Sequence, residues 1–172
     1  MGHQFLQLAM TAFVVFWINV FASLQVAQAQ IVALGASQTY GKGVERSQSY
    51  PAQLESMLRA KGYGVRVENA GINGDTTAGM LSRLGTAVPN GTKVVILQPG
   101  GNDMRRGAGA DRGANISAIQ QRLNARGIKM IMLENGNFRG LPRQSDGLHL
   151  TPDGYRAIAQ RLLPNVMSTV GR

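Results

Sequence analysis

The chain contains two histidines, and only His149 lies outside an N-terminal stretch that holds no Lys, Arg, Asp or Glu. It sits in Ser145-Asp146-Gly147-Leu148-His149-Leu150-Thr151-Pro152-Asp153-Gly154. An imidazole works as a general base when a carboxylate orients its other ring nitrogen. Asp146 stands three residues earlier, and Gly147 allows the turn that would bring its carboxylate to the ring. A lone His is more often a packed or solvated residue than a catalyst, and Asp-Gly is a common turn, so the pair gains meaning only with a nucleophile. Ser37 supplies one. It follows Gly35 and Ala36 at the end of the apolar run 31–35, where a turn would lift its hydroxyl above a sheet and its N–H would help bind an oxyanion. Thr39 two residues on excludes the G-x-S-x-G elbow. Two further loops hold oxyanion donors: Gly74 in Asn73-Gly74-Asp75-Thr76-Thr77, with no side chain to block its N–H, and the amide of Asn102 in Gly100-Gly101-Asn102-Asp103. Each signal alone is a routine turn element. Together they follow successive apolar runs in order.

The elements that must position these residues alternate between short apolar runs and amphipathic stretches, the pattern of a parallel sheet covered by helices. The runs predict strands at 31–35, 65–69, 93–98 and 128–133. Between them, Ser49-Tyr50-Pro51 opens a helix through Leu54, Met57 and Leu58 to Gly62. Asp75 or Thr76 caps a helix carrying Met80, Leu81 and Leu84, and Asp111 caps one carrying Ile116, Ile119 and Leu123 up to Gly127. Thr151-Pro152-Asp153 starts a last helix with Tyr155, Ile158, Leu162, Leu163 and Val166 inward, which Pro164 is expected to bend or interrupt. In such a fold ligands sit at the carboxyl ends of the strands. The loops after the strands are where Ser37, Gly74, Asn102, Asp146 and His149 fall.

Residues 1–29 read as a signal peptide or an N-terminal anchor, and 30–172 as one domain. Phe5 to Leu24 is broken only by Gln7, Thr11, Asn19 and Ser23, and Ala27-Gln28-Ala29 has the small-x-small pattern of a cleavage site. The expected location is periplasmic or secreted, with membrane contact only through the leader if it is retained. The formal charge of +9 falls wholly after residue 29, yet the basic residues are scattered and form no run. Trp17 lies in the leader, and Tyr40, Tyr50, Tyr63, Phe138 and Tyr155 are too dispersed for a base-stacking platform, so nucleic acid is not an expected partner. Absence of Cys excludes disulfides, thiolate metal sites and a cysteine nucleophile.

These blocks, spanning residues 31 to about 166, resemble the SGNH, or GDSL, hydrolase family, closest to its bacterial periplasmic thioesterase, lysophospholipase and arylesterase type. The resemblance implies a three-layer α/β/α flavodoxin-like fold and a serine hydrolase that cleaves ester or thioester bonds of small acyl or lipid-like substrates without metal or cofactor. It casts Ser37 as nucleophile, His149 as base and then acid, Asp146 as its orienting carboxylate, and the Ser37 N–H, Gly74 N–H and Asn102 side chain as the oxyanion hole. Arg105 and Arg106 would lie at the substrate rim. Ala36 replaces the family's aspartate, which braces the nucleophile loop, and Leu150 stands where proline is frequent. About a dozen residues separate Leu133 from Asp146, too few for the further helix and strand of the family. The sheet is therefore expected to have four strands, ordered 2-1-3-4, with its outer edge shielded by residues 134–144, Phe138 inward, or by a second subunit in a homodimer. Two other readings stay open: a carbohydrate O-acetylesterase, and a catalytically weak binding protein.

Overall fold

The computed structural model describes residues 30–171, so the leader expected over residues 1–29 lies outside the described residues. Four strands, β1 (Ile31–Gly35), β2 (Val67–Gly71), β3 (Val94–Gln98) and β4 (Lys129–Met132), form one sheet in the order β2-β1-β3-β4. All pairings are parallel, with Ile31 opposite both Val67 and Val94. The α-helices are α1 (Ser37–Tyr40), α2 (Tyr50–Ala60), α3 (Thr77–Ser82), α4 (Leu84–Ala87), α5 (Asn102–Arg105), α6 (Arg112–Asn124) and α7 (Pro152–Val170).

Alternation along the strands divides the interior into two cores. Ile31, Ala33, Val94 and Ile96 face Tyr50, Leu54 and Leu58 of α2 and Tyr155, Ile158, Leu162 and Val166 of α7. Val32, Leu34, Val95 and Leu97 face Met80, Leu84, Ile119 and Leu123 on α3, α4 and α6. Burial on both sides explains why β1 and β3 are apolar at nearly every position. The three layers and the strand order are those expected from the sequence.

Several details differ from the sequence expectation. β2 is displaced by two residues from 65–69, because its ladder with β1 begins where the Ile31 N–H meets the Arg66 carbonyl at 3.2 Å. Val65 contributes to the core without pairing. The expected continuous helix over Met80, Leu81 and Leu84 breaks at Arg83, which leaves helical geometry and turns its side chain back to Asp75. Of the two expected caps of α3, Thr76 fills the place, accepting from the Gly79 N–H. Asp111 makes no capping bond: a 3-10 turn at Gly109–Asp111 already leads into α6. Ser49 precedes α2 without capping it, since its hydroxyl donates to the Arg46 carbonyl at 2.7 Å. Pro164 does not interrupt α7. It is exposed, as is Gln160 one turn earlier, so the carbonyl that loses its partner can be hydrated.

β4 is an edge strand of four residues that begins with an exposed lysine, a length and composition that discourage further pairing. Beyond it, a 3-10 turn at Asn135–Phe138 directs Phe138 inward, where it is 3 % exposed beside Ile131 and Leu133. The chain then returns directly to the carboxyl edge of the sheet.

Candidate active site

Each loop leaving the carboxyl edge contributes to one cluster. After β1 the chain turns at once into α1, with Ser37 in its first position and the left-handed Gly41 (φ 83°) closing it. Ala36 has no side chain that could brace this loop, and the structure supplies a brace from β3. The Gln98 side-chain oxygen accepts from the Ala36 N–H at 3.1 Å and from the Thr39 hydroxyl at 3.2 Å. Gln98 is 1 % exposed, and Thr39 also contacts the Tyr50 hydroxyl at 3.3 Å. Gly35 is obligatory, because a Cβ there would fall 2.2 Å from the Thr39 hydroxyl oxygen.

The loop before α7 presents the histidine. Gly147 (φ 67°) makes the turn between Asp146 and His149. One Asp146 oxygen accepts from the backbone N–H groups of Leu148 and His149, each at 2.9 Å, and the other lies 2.5 Å from His149 Nδ1. On the far side of the ring, Nε2 lies 2.9 Å from Ser37 Oγ. Three residues singled out in the sequence thus form one hydrogen-bonded chain. The bond from His149, reinforced by the two backbone donors, holds the Asp146 carboxyl well below the usual carboxylate range. Asp146 therefore stays ionised and favours the tautomer with its proton on Nδ1, leaving Nε2 to accept the serine proton. The loop itself is clamped. The Leu148 carbonyl accepts from Gln38 at 2.8 Å and from Arg143 at 2.5 Å, while the Gln144 N–H donates to the His149 carbonyl at 2.8 Å.

The two remaining loops meet each other at Asn102 and Asp75. Asn102 is 7 % exposed, and its hydrogen-bonding capacity is nearly used up. Its oxygen accepts from Arg105 at 2.6 Å, and one N–H donates to the Asp75 carbonyl at 2.7 Å. The second amide N–H remains for a ligand. Gly74 has φ 76°, and a Cβ there would lie 3.2 Å from the Arg106 guanidinium. Among the described residues, neither Gly74 N–H nor Ser37 N–H donates to a protein acceptor. The two loops are stapled by the buried Asp103, whose carboxylate accepts from Thr77 Oγ1 at 2.5 Å and from Thr77 N–H at 3.1 Å. Arg83 adds a bridge, pairing with Asp75 at 2.8 Å and donating to the Gly35 carbonyl at 3.3 Å.

A cavity of about 260 Å³ opens between these loops. Ala36, Ser37, Gln98, Asn102, Arg105, Phe138, Arg143 and Leu148 are in its lining. Arg105 lines the cavity, whereas Arg106 and Gly74, which lie against each other, are outside its lining. Gln98 and Arg143 were not singled out from the sequence. Gln98 carried a signal, a polar residue ending an otherwise apolar buried strand; Arg143 carried none, being one arginine in a polar loop.

The arrangement can carry out acyl transfer: a hydroxyl beside an oriented imidazole, with the Asn102 amide in the same cavity lining. Among the described residues no group of His, Asp and Glu is arranged to hold a metal ion.

Comparison with known proteins bears on the family and the fold. A model of the GDSL-like lipase/acylhydrolase family matches residues 33–144. Esterase TesA of Pseudomonas aeruginosa is 35% identical over 116 residues, which make up 66% of this chain and 58% of that protein. The chain thus matches little more than half the length of that curated relative. Among solved structures, the crystal structure of TesA superposes with a TM-score of 0.73 at 24% identity, covering 81% of this chain and 98% of that one. AlinE4, described as a SGNH-hydrolase family esterase, superposes with a TM-score of 0.57 at 30% identity, covering 84% of this chain and 74% of that one. The family match stops two residues before Asp146, so the placement of Asp146 and His149 rests on the structure.

Proposed function

The chain belongs to the GDSL-like lipase/acylhydrolase family, and from that premise we propose that it hydrolyses carboxylic esters, thioesters included, through an acyl-enzyme on Ser37. The observation that carries the reading is the unbroken chain from Asp146 through His149 to Ser37, with distances of 2.5 and 2.9 Å. Ser37 Oγ attacks the carbonyl while His149 Nε2 takes its proton, and the tetrahedral oxyanion is held by Ser37 N–H, Gly74 N–H and the remaining Asn102 N–H. His149 then protonates the leaving group. Water, deprotonated by the same imidazole, attacks the acyl carbon and releases the acid and the serine.

The cavity is at the small end of ligand sites, which favours short acyl groups over long fatty chains. That observation also supports the second reading, removal of acetyl groups from a polar carrier such as a carbohydrate. The proposed compartment is the periplasm or the exterior, on the strength of the apolar leader ending in Ala27-Gln28-Ala29.

Labelling with a fluorophosphonate tests the reading. The folded wild type is expected to be labelled and the Ser37→Ala variant not. Labelling that survives the substitution, or none in the wild type, would sink it. Comparing acetyl with octanoyl esters of the same alcohol then separates short-acyl from lipid-like substrates.

A further inference from the structure

The cavity beside Ser37 is walled by two guanidinium groups, Arg105 and Arg143, and by no carboxylate. Neither forms an ion pair among the described residues, whereas Arg59, Arg66, Arg83 and Arg112 each do. Both are held by neutral acceptors instead. Arg105 donates to Asn102 Oδ1 at 2.6 Å, and Arg143 donates to the carbonyls of Leu148 at 2.5 Å and Phe138 at 3.1 Å. These bonds fix the guanidinium planes without neutralising them. The one nearby carboxylate of the relay, Asp146, is occupied by His149 Nδ1 and two backbone N–H groups. Two uncompensated positive charges in a concave site raise the local concentration of anions, and a guanidinium matches the planar, forked geometry of a carboxylate or phosphate.

The rest of the lining fits the same ligand. Gln38, Gln98, Asn102 and Asn135 supply neutral polar groups to the walls, and Phe138 and Leu148 are the large apolar contacts. A long hydrocarbon chain entering here would have to strip water from both arginines without giving them a partner.

We propose that the ester turned over at Ser37 carries a small anionic group, a carboxylate or a phosphate, that docks between Arg105 and Arg143 while its connecting carbons lie against Phe138 and Leu148. This rests on the hydrolase reading above and narrows its substrate class. The anion has two possible places, the acyl group or the alcohol, and both present the same chemistry to the arginines.

The test compares the full chain's kcat/KM on two matched pairs. Ethyl hydrogen adipate against ethyl hexanoate places the anion on the acyl side, and acetylglycerol phosphate against acetylglycerol places it on the alcohol side. In at least one pair the anionic ester is expected to be preferred by about tenfold, with the preference shrinking as ionic strength rises. It should fall toward parity in Arg143→Gln and in Arg105→Gln and be partly kept in Arg143→Lys. Each variant's rate on the neutral ester is its own reference, so a general loss of activity does not imitate the effect. Parity in both pairs, preference for the neutral ester, or an anionic preference unchanged in both Gln variants would overturn the proposal while leaving the hydrolase reading intact. Failure to turn over any of the four esters, with no fluorophosphonate labelling, would remove the hydrolase reading and this inference with it.

Discussion

Gln98→Leu deletes the brace under the nucleophile loop while nearly conserving side-chain volume. Two bonds end on the Gln98 oxygen, from the Ala36 N–H at 3.1 Å and the Thr39 hydroxyl at 3.2 Å. The Thr39 hydroxyl keeps its contact with Tyr50 at 3.3 Å, so its loss is small. The Ala36 N–H has no second acceptor and lies in a residue that is 2 % exposed. Leaving such a donor unsatisfied costs about 1–3 kcal/mol. A central value of about 2 kcal/mol, divided by an m-value of about 2 kcal/mol/M, moves the urea midpoint down by about 1 M. Ser37 is next to the orphaned amide, so the shift reaches the 2.9 Å contact with His149. Small misplacements of a nucleophile cost about 10–100-fold in rate. Urea unfolding followed by circular dichroism reads the first effect, and the rate of fluorophosphonate labelling in native buffer reads the second. An unfolding free energy within about 0.5 kcal/mol of wild type, together with an unchanged labelling rate, would show that Gln98 does not brace the loop.

Three other outcomes follow from the same geometry. Asp146→Asn keeps the shape of the loop but no longer enforces the tautomer, so kcat should fall by about 10⁴-fold with near-normal thermal stability; a loss under tenfold would place the orienting role elsewhere. Asn102→Ala removes one oxyanion donor and should cost about 10²–10³-fold in kcat with a smaller change in KM, read by steady-state kinetics on a short-chain ester. Phe138→Ala empties a position that is 3 % exposed beside the edge strand and should destabilise the fold by about 3–5 kcal/mol, measured by denaturant unfolding; a loss under about 1 kcal/mol would mean that the 134–144 loop contributes little to the core.

The residues of the relay were legible because their chemistry is tied to type: a single histidine near an aspartate, and a serine closing a buried strand, have few substitutes. The number of strands was legible because too little chain separates β4 from Asp146 for another crossover, and their order followed from the family resemblance. What sequence reading missed are residues whose roles depend on contacts between distant segments. Gln98 and Ala36 are 62 positions apart, and nothing local to either shows that one replaces the bracing group the other lacks. Arg143 is set apart from other surface arginines only by the turn that brings it to the Leu148 carbonyl. Helix ends were missed at Asp111 and Arg83 for a related reason. A capping residue type records a capacity, and at those sites a 3-10 turn and an ion pair with Asp75 took precedence.

β1 runs from Ile31 to Gly35, and Ser37 follows its last residue, so the start of the described chain and the nucleophile lie at opposite ends of one strand. At about 3.3 Å per residue that strand separates them by roughly 17 Å. A fusion partner or surface linker joined directly to Gln30 therefore attaches at the far end of β1 from Ser37. Immobilised through that end, the protein would turn its cavity toward the bulk medium, where water-borne esters reach it without passing the support.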